Sequence, residues 1–163
     1  MNADAFRHLY HYHFAENRKL WDAVLTISDQ QFLEPNSYSH GSVRDQIIHL
    51  IDVDQVWFSE LQGIEPPAAL PDDAHDRAII RAHWESAEQL VAAYLNRLSD
   101  QDLFSTPIRE PAEDRDLIVW QVLIHVINHG TDHRAQILRL LNTYGIATTA
   151  QDYIFYAYEH PLR

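Results

Sequence analysis

Two imidazoles at i and i+4 on one helix face can hold a divalent ion when a neighbouring helix completes the ligand set. His129 and His133 form such a pair. They lie in the run Val119–Leu141, whose length and apolar period read as one helix of about six turns. Val126, Gly130, His133, Ile137, Leu140 and Tyr144 recur at 4-3-4-3-4 spacing. His133 thus stands where the pattern asks for an aliphatic side chain, and His129 projects toward the same region one turn earlier. Gly130 lies between them, and a mid-helix glycine costs roughly 1 kcal/mol relative to alanine. Such a glycine marks a close backbone approach or needed space.

The third ligand is open on periodicity alone. His49 borders the apolar arc of its own helix, whereas His13 lies on the inner stripe of the first helix, with Asn17 one turn on. His13 and Asn17 read either as pocket residues or as a satisfied polar pair in the core. Asp54 is placed to orient an imidazole or act as a base, and Asp52 reads as a solvated carboxylate. His125, one turn before His129, drifts off the apolar arc toward a surface or supporting position. His8 and His11 read as solvated. His40, His75, His83 and His160 fall in loops or on polar faces and carry no assigned role.

The elements that must position these groups follow from the same periodicity. Residues 3–28 read as a first helix, with Phe6, Tyr10, His13, Asn17, Leu20, Val24 and Ile27 on one stripe. Ser42-Val-Arg-Asp45 is a capping-box signature opening a second helix to about Leu61, closed by Gly63 and Pro66-Pro67. Its apolar arc takes in Val43, Ile47, Leu50, Val53, Trp57 and Leu61. A proline-rich connection leads to a third helix at about 76–98. Its stripe Ile80, Trp84, Ala87, Val91, Tyr94 and Leu98 has no polar interruption and reads as scaffold. Residues 100–117 read as a loop with a short extended piece, and 149–159 as a short terminal helix. The tryptophans read as packing. Four long helices imply an all-α four-helix bundle, and the interrupted stripes nominate helices one, two and four as the lining of a core site.

Composition narrows the function classes. The 163 residues suit a single domain over 1–163, with a net charge of −12 and no cysteine. With no basic stripe, phosphate-driven nucleic-acid binding is not expected, and the acidic surface disfavours anionic membranes. Thiolate zinc sites, disulfides and a cysteine nucleophile are excluded. The N-terminal residues have no signal pattern and no apolar run approaches a membrane span, so a cytoplasmic location is expected.

Three segments resemble the DinB/YfiT-like metalloenzyme family: Phe14-Ala-Glu-Asn-Arg-Lys-Leu-Trp21, His40-Gly-Ser-Val-Arg-Asp-Gln-Ile-Ile-His-Leu50 and His125-Val-Ile-Asn-His-Gly-Thr-Asp-His-Arg-Ala-Gln-Ile137. The likeness covers essentially the whole chain. It implies an up-down-down-up bundle, often dimeric, with a metal held by His49, His129 and His133; neutral imidazole ligands suit Zn, Ni or Fe. The family often has His where this chain has Asp132, a position outside the implied ligand set. Relatives include S-transferases and isomerases that use low-molecular-weight thiols such as bacillithiol or mycothiol. The resemblance therefore implies thiol transfer to a small electrophile, by a homodimer acting on small-molecule substrates. An open metal site stabilises a thiol sulfur as thiolate, the reactive form. Two other readings stand beside it: a metal-dependent hydrolase with Asp54 as base, or a non-catalytic metal-binding or stress-response protein with a closed coordination sphere.

Overall fold

A computed structural model describes residues 2–162. The described residues form helices and loops, with no strand among them. The helices are α1 (Ala3–Val24), α2 (Asp29–Leu33), α3 (Val43–Glu60), α4 (Arg77–Arg97), α5 (Val119–Thr143) and α6 (Tyr153–Glu159). The four long ones make a bundle in which α1 and α3 each pack against both α4 and α5. Hence α1 faces α3 across the bundle, and α4 faces α5. No helix is long and apolar enough to cross a membrane.

Local sequence sets the helix ends. The Ser42 hydroxyl accepts the Asp45 N–H while the Asp45 carboxylate accepts the Ser42 N–H, the reciprocal capping box that opens α3. Asp76 caps α4 by accepting two backbone N–H groups. Gly145 takes a φ of 80° just past α5, where glycine carries no Cβ penalty. The first helix stops at Val24, short of the expected 28, because Ser28 turns to cap the unforeseen short helix α2 with Gln31.

The stripes read from the sequence pack as two apolar clusters stacked along the bundle. One contains Phe6, Tyr10, Phe58, Val91, Leu103 and Leu123; the other contains Leu20, Val24, Ile47, Ile51, Trp84 and Ile137. Burying each large aliphatic or Phe side chain contributes about 1.5–3 kcal/mol. The stripe of α4 is buried throughout, as expected of scaffold. The arc of α3 is rotated from the expected one: Ile51, Asp54 and Phe58 are buried, while Val53 and Trp57 are only half-buried. That rotation follows from α3 wedging between α4 and α5, and it leaves His49 at the α5 seam. Residues 100–117 contain two 3₁₀ turns, Asp102–Phe104 and Ala112–Asp114, where an extended piece was expected. Leu103 and Ile108 are buried, which holds the segment to the bundle without a strand partner.

Between the two apolar clusters lies a layer of buried polar side chains: His13, Asn17, Asp54, Gln55, His133 and Arg134. Buried polar groups in a bundle core are destabilising unless they are paired, so their partners decide what the layer does.

Candidate metal centre

Four imidazoles converge where α3, α5 and the turn before α3 meet. His49 comes from α3, and His129 and His133 from successive turns of α5. His49 Nε2 and His129 Nε2 are 2.9 Å apart. The ring centroids of His129 and His133 are 4.3 Å apart, and those of His49 and His133 4.8 Å. His40 lies flat on His49, with centroids 3.5 Å apart and planes 12° from parallel. One ring nitrogen from each of His40, His49 and His133 lies within 4.8 Å of the others, a grouping that could hold a metal ion. His129 joins this group through its contact with His49.

The electrostatics keep the three helix-borne rings, His49, His129 and His133, neutral. Burial, followed by repulsion from His40, His129 and His133, lowers the His49 pKa to about 4. Burial, then His133, His125 and His40, lower that of His129 to about 4, against an opposing pull from Asp132. His133 is lowered as well, by burial and by His40. A neutral imidazole keeps a lone pair for a cation, and a cluster that repels protons accepts a metal at neutral pH. Among the described residues, the His49–His129 contact is the one hydrogen bond made by the ring nitrogens of these four histidines. The His133 Nδ1 is buried without a partner. Two nitrogens bound to one ion at about 2.1 Å stand about 3.0–3.4 Å apart. The observed 2.9 Å between His49 and His129 is thus already close to ligand spacing. An all-imidazole set suits Zn²⁺, Ni²⁺ or Fe²⁺. The residues fit the group.

The sequence profile of the DinB family matches residues 1–161. The chain belongs to the DinB family. A search of curated proteins finds no match to it. In this DinB chain the remaining nominated residues are distributed as follows.

His13 and Asn17 do not reach the imidazole cluster; they meet Arg134. Arg134 Nη1 lies 3.0 Å from His13 Nδ1 and donates to Asn17 Oδ1 at 2.9 Å. Its Nε donates to Gln151 Oε1 and its Nη2 to Thr131 Oγ1. Because His13 Nδ1 accepts from the guanidinium, the ring proton sits on Nε2, which faces Asp54 Oδ2 at 3.7 Å. Burial is the main cause that lowers the His13 pKa. Asp54 is therefore turned toward His13 within the bundle, and its ion-pairing contact is not with a member of the cluster. Asp52 is half-buried, and that burial raises its carboxyl pKa against a smaller opposing pull from His83. His125 is exposed and packs edge-on against Trp57 at the rim. Asp132 is exposed and accepts from Gln136.

Gly130 has a physical reason that its place in the helix shows only in outline. A Cβ there would stand 2.4 Å from His13 Cε1 and 3.1 Å from Arg134 Nη1. The space serves the His13–Arg134 contact and lets α1 approach α5 between the two histidine positions. Two residues escaped sequence reasoning. His40 sits on a turn, where periodicity is silent; its place two residues before the Ser42 cap was the available signal. Arg134 was hidden by its charge, although it follows Gly130 by one helical turn on the same stripe.

Proposed function

We propose that this DinB protein is a divalent-metal enzyme that transfers a low-molecular-weight thiol to a small electrophile. The observation that carries the reading is the convergence of neutral imidazoles from α3 and α5, with His49 and His129 Nε2 2.9 Å apart. His49, His129 and His133 would hold the ion from rigid helices. A bound divalent ion would supply the Lewis acidity that keeps a thiol sulfur as thiolate at neutral pH. The absence of cysteine fits this division of labour, since the nucleophilic sulfur then arrives with the substrate. A groove of about 490 Å³ lies beside the turn that carries His40, lined by Asn36, Tyr38, Gln46, Gln136 and Arg139 among others. Its polar groups and the Arg139 guanidinium suit a small, polar, anionic thiol. The net reaction joins sulfur to an electrophilic carbon; the leaving group departs with its bonding pair and the thiol proton passes to solvent. A homodimer and a cytoplasmic location go with this reading. Hydrolysis has no matching support, because the carboxylate nominated as its base, Asp54, is turned to His13.

The test loads the protein with one equivalent of Zn²⁺, Ni²⁺ or Fe²⁺ and supplies small thiols with an alkyl halide or epoxide. Thiol-dependent consumption of the electrophile, lost on chelation and in His49→Ala, is expected. Consumption at the same rate without thiol would point to hydrolysis. Stable metal binding with no consumption in any combination would leave a non-catalytic metal protein.

A further inference from the structure

His40 is the one member of the imidazole cluster that no helix holds. Three helix-borne histidines already suffice for a site with an open position. A fourth imidazole within 4.8 Å of His49 and His133 is therefore surplus to holding the ion. Its pose is specific. The ring lies 3.5 Å from that of His49 and nearly parallel to it. An imidazole lone pair lies in the ring plane, so an ion in the plane of His49 would lie well outside the plane of a ring stacked this way. The stacked ring does not share the ion; it must turn out of the stack to do so.

Two backbone features mark the turn that carries His40. Ser39 has a φ of 58° and Gly41 of 97°, so His40 is flanked by two left-handed residues. A Cβ on Gly41 would stand 2.9 Å from Asp45 Oδ2, so the close approach needs glycine. Downstream, the chain is pinned by the Ser42–Asp45 capping box and by Gln46 Nε2 donating to the Gly41 carbonyl. The pivot is thereby confined to residues 39–41. His40 is exposed, so a swing of its ring meets little beyond water and the two rings it touches, those of His49 and His133. The groove opens on the same turn, between Tyr38 and Gln46.

We propose that His40 is an exchangeable fourth ligand that gates the metal centre. Once an ion is bound and no substrate is present, it turns inward from the face of His49 to fill the position the three helical histidines leave open. When a substrate donor atom enters from the groove, His40 lifts onto the face of His49, the position seen here. The proposal rests on the metal-centre reading above and adds a closed resting state to it. A gate of this kind lowers apparent substrate affinity by the fraction of sites held closed, and removing it restores that affinity.

The experiment compares wild type, His40→Ala and His129→Ala, each offered one equivalent of Co²⁺ or Zn²⁺, with 2-mercaptoethanol as the thiol probe. X-ray absorption counts imidazoles at the metal, and chelator competition gives metal affinity. Wild type is expected to show four imidazoles, falling to three with one sulfur as thiol is added. His40→Ala should show three from the start, bind metal about tenfold more weakly, and take up thiol at about tenfold lower concentration. Equal imidazole counts, metal affinities and thiol midpoints in wild type and His40→Ala would overturn the gate while leaving the metal centre in place. Failure of wild type to take up any metal would overturn both. Because His40 is exposed, its variant should melt with wild type when metal-free, which separates loss of a ligand from loss of fold.

Discussion

Two histidine clusters lie close together in this bundle and differ in almost every physical respect. The His13–Asn17–Arg134 cluster is sealed, with His13 and Arg134 each 1% exposed, and every arm of the guanidinium has a protein partner. The His40–His49–His129–His133 cluster is reached by solvent and has one hydrogen bond among four rings. The guanidinium's bonds, held in low dielectric, fix one arrangement of the helices around it, although His13 Nε2 and Asn17 Nδ2 have no hydrogen-bond partner. An under-bonded set of neutral rings has lone pairs left for an ion. The first therefore reads as the frame and the second as the site, and α5 carries both, with Arg134 next to His133 in sequence.

The strongest way to break the contrast is to open the sealed cluster. Arg134→Ala strands His13 Nδ1, Asn17 Oδ1 and Gln151 Oε1 at once. Urea denaturation should show a loss of about 3 kcal/mol or more. A loss below about 1 kcal/mol would mean that the network is not a frame. Gly130→Ala comes next. Its Cβ would stand 2.4 Å from the His13 ring, so ring or helix must shift, at about 1–3 kcal/mol. The shift should also weaken metal binding, because Gly130 lies between His129 and His133; unchanged affinity would uncouple frame from site.

Acid should act more gently, and chiefly on the open cluster. The His49 and His129 pKa values fall to about 4 in the folded chain, from an ordinary 6.5. The unfolded chain therefore binds more protons between these values. Metal-free protein should keep its full stability above about pH 6.5 and lose it progressively as pH falls toward about 4. His129→Ala should flatten that slope while barely moving the melting temperature at pH 8. A slope as steep as wild type would place the titrating groups elsewhere. Smallest of all, Arg139→Ala should weaken thiol binding a few-fold without touching metal affinity; a loss of metal affinity would show that the groove is part of the ligand frame.

Much of this was legible in the chain. Stripes such as Ile80, Trp84, Ala87 and Val91 specify the bundle because a helix with one apolar face has one way to bury it. His133 was visible as a polar residue in an aliphatic position. What stayed hidden depended on rotation and on turns. His49 sits at the edge of its arc, and its direction followed from how α3 wedges between its neighbours, which no single helix encodes. His40 lies outside any periodic element. Asp54 looked available as a base, and only tertiary packing turned it to His13.

The most direct measurement is metal content by elemental analysis of tag-free protein, for wild type, His129→Ala and His13→Asn. About one metal per chain in wild type and His13→Asn, with none in His129→Ala, is the expected result. Metal absent from wild type after reconstitution with zinc, nickel and iron, or lost in His13→Asn and kept in His129→Ala, would contradict the assignment of site and frame.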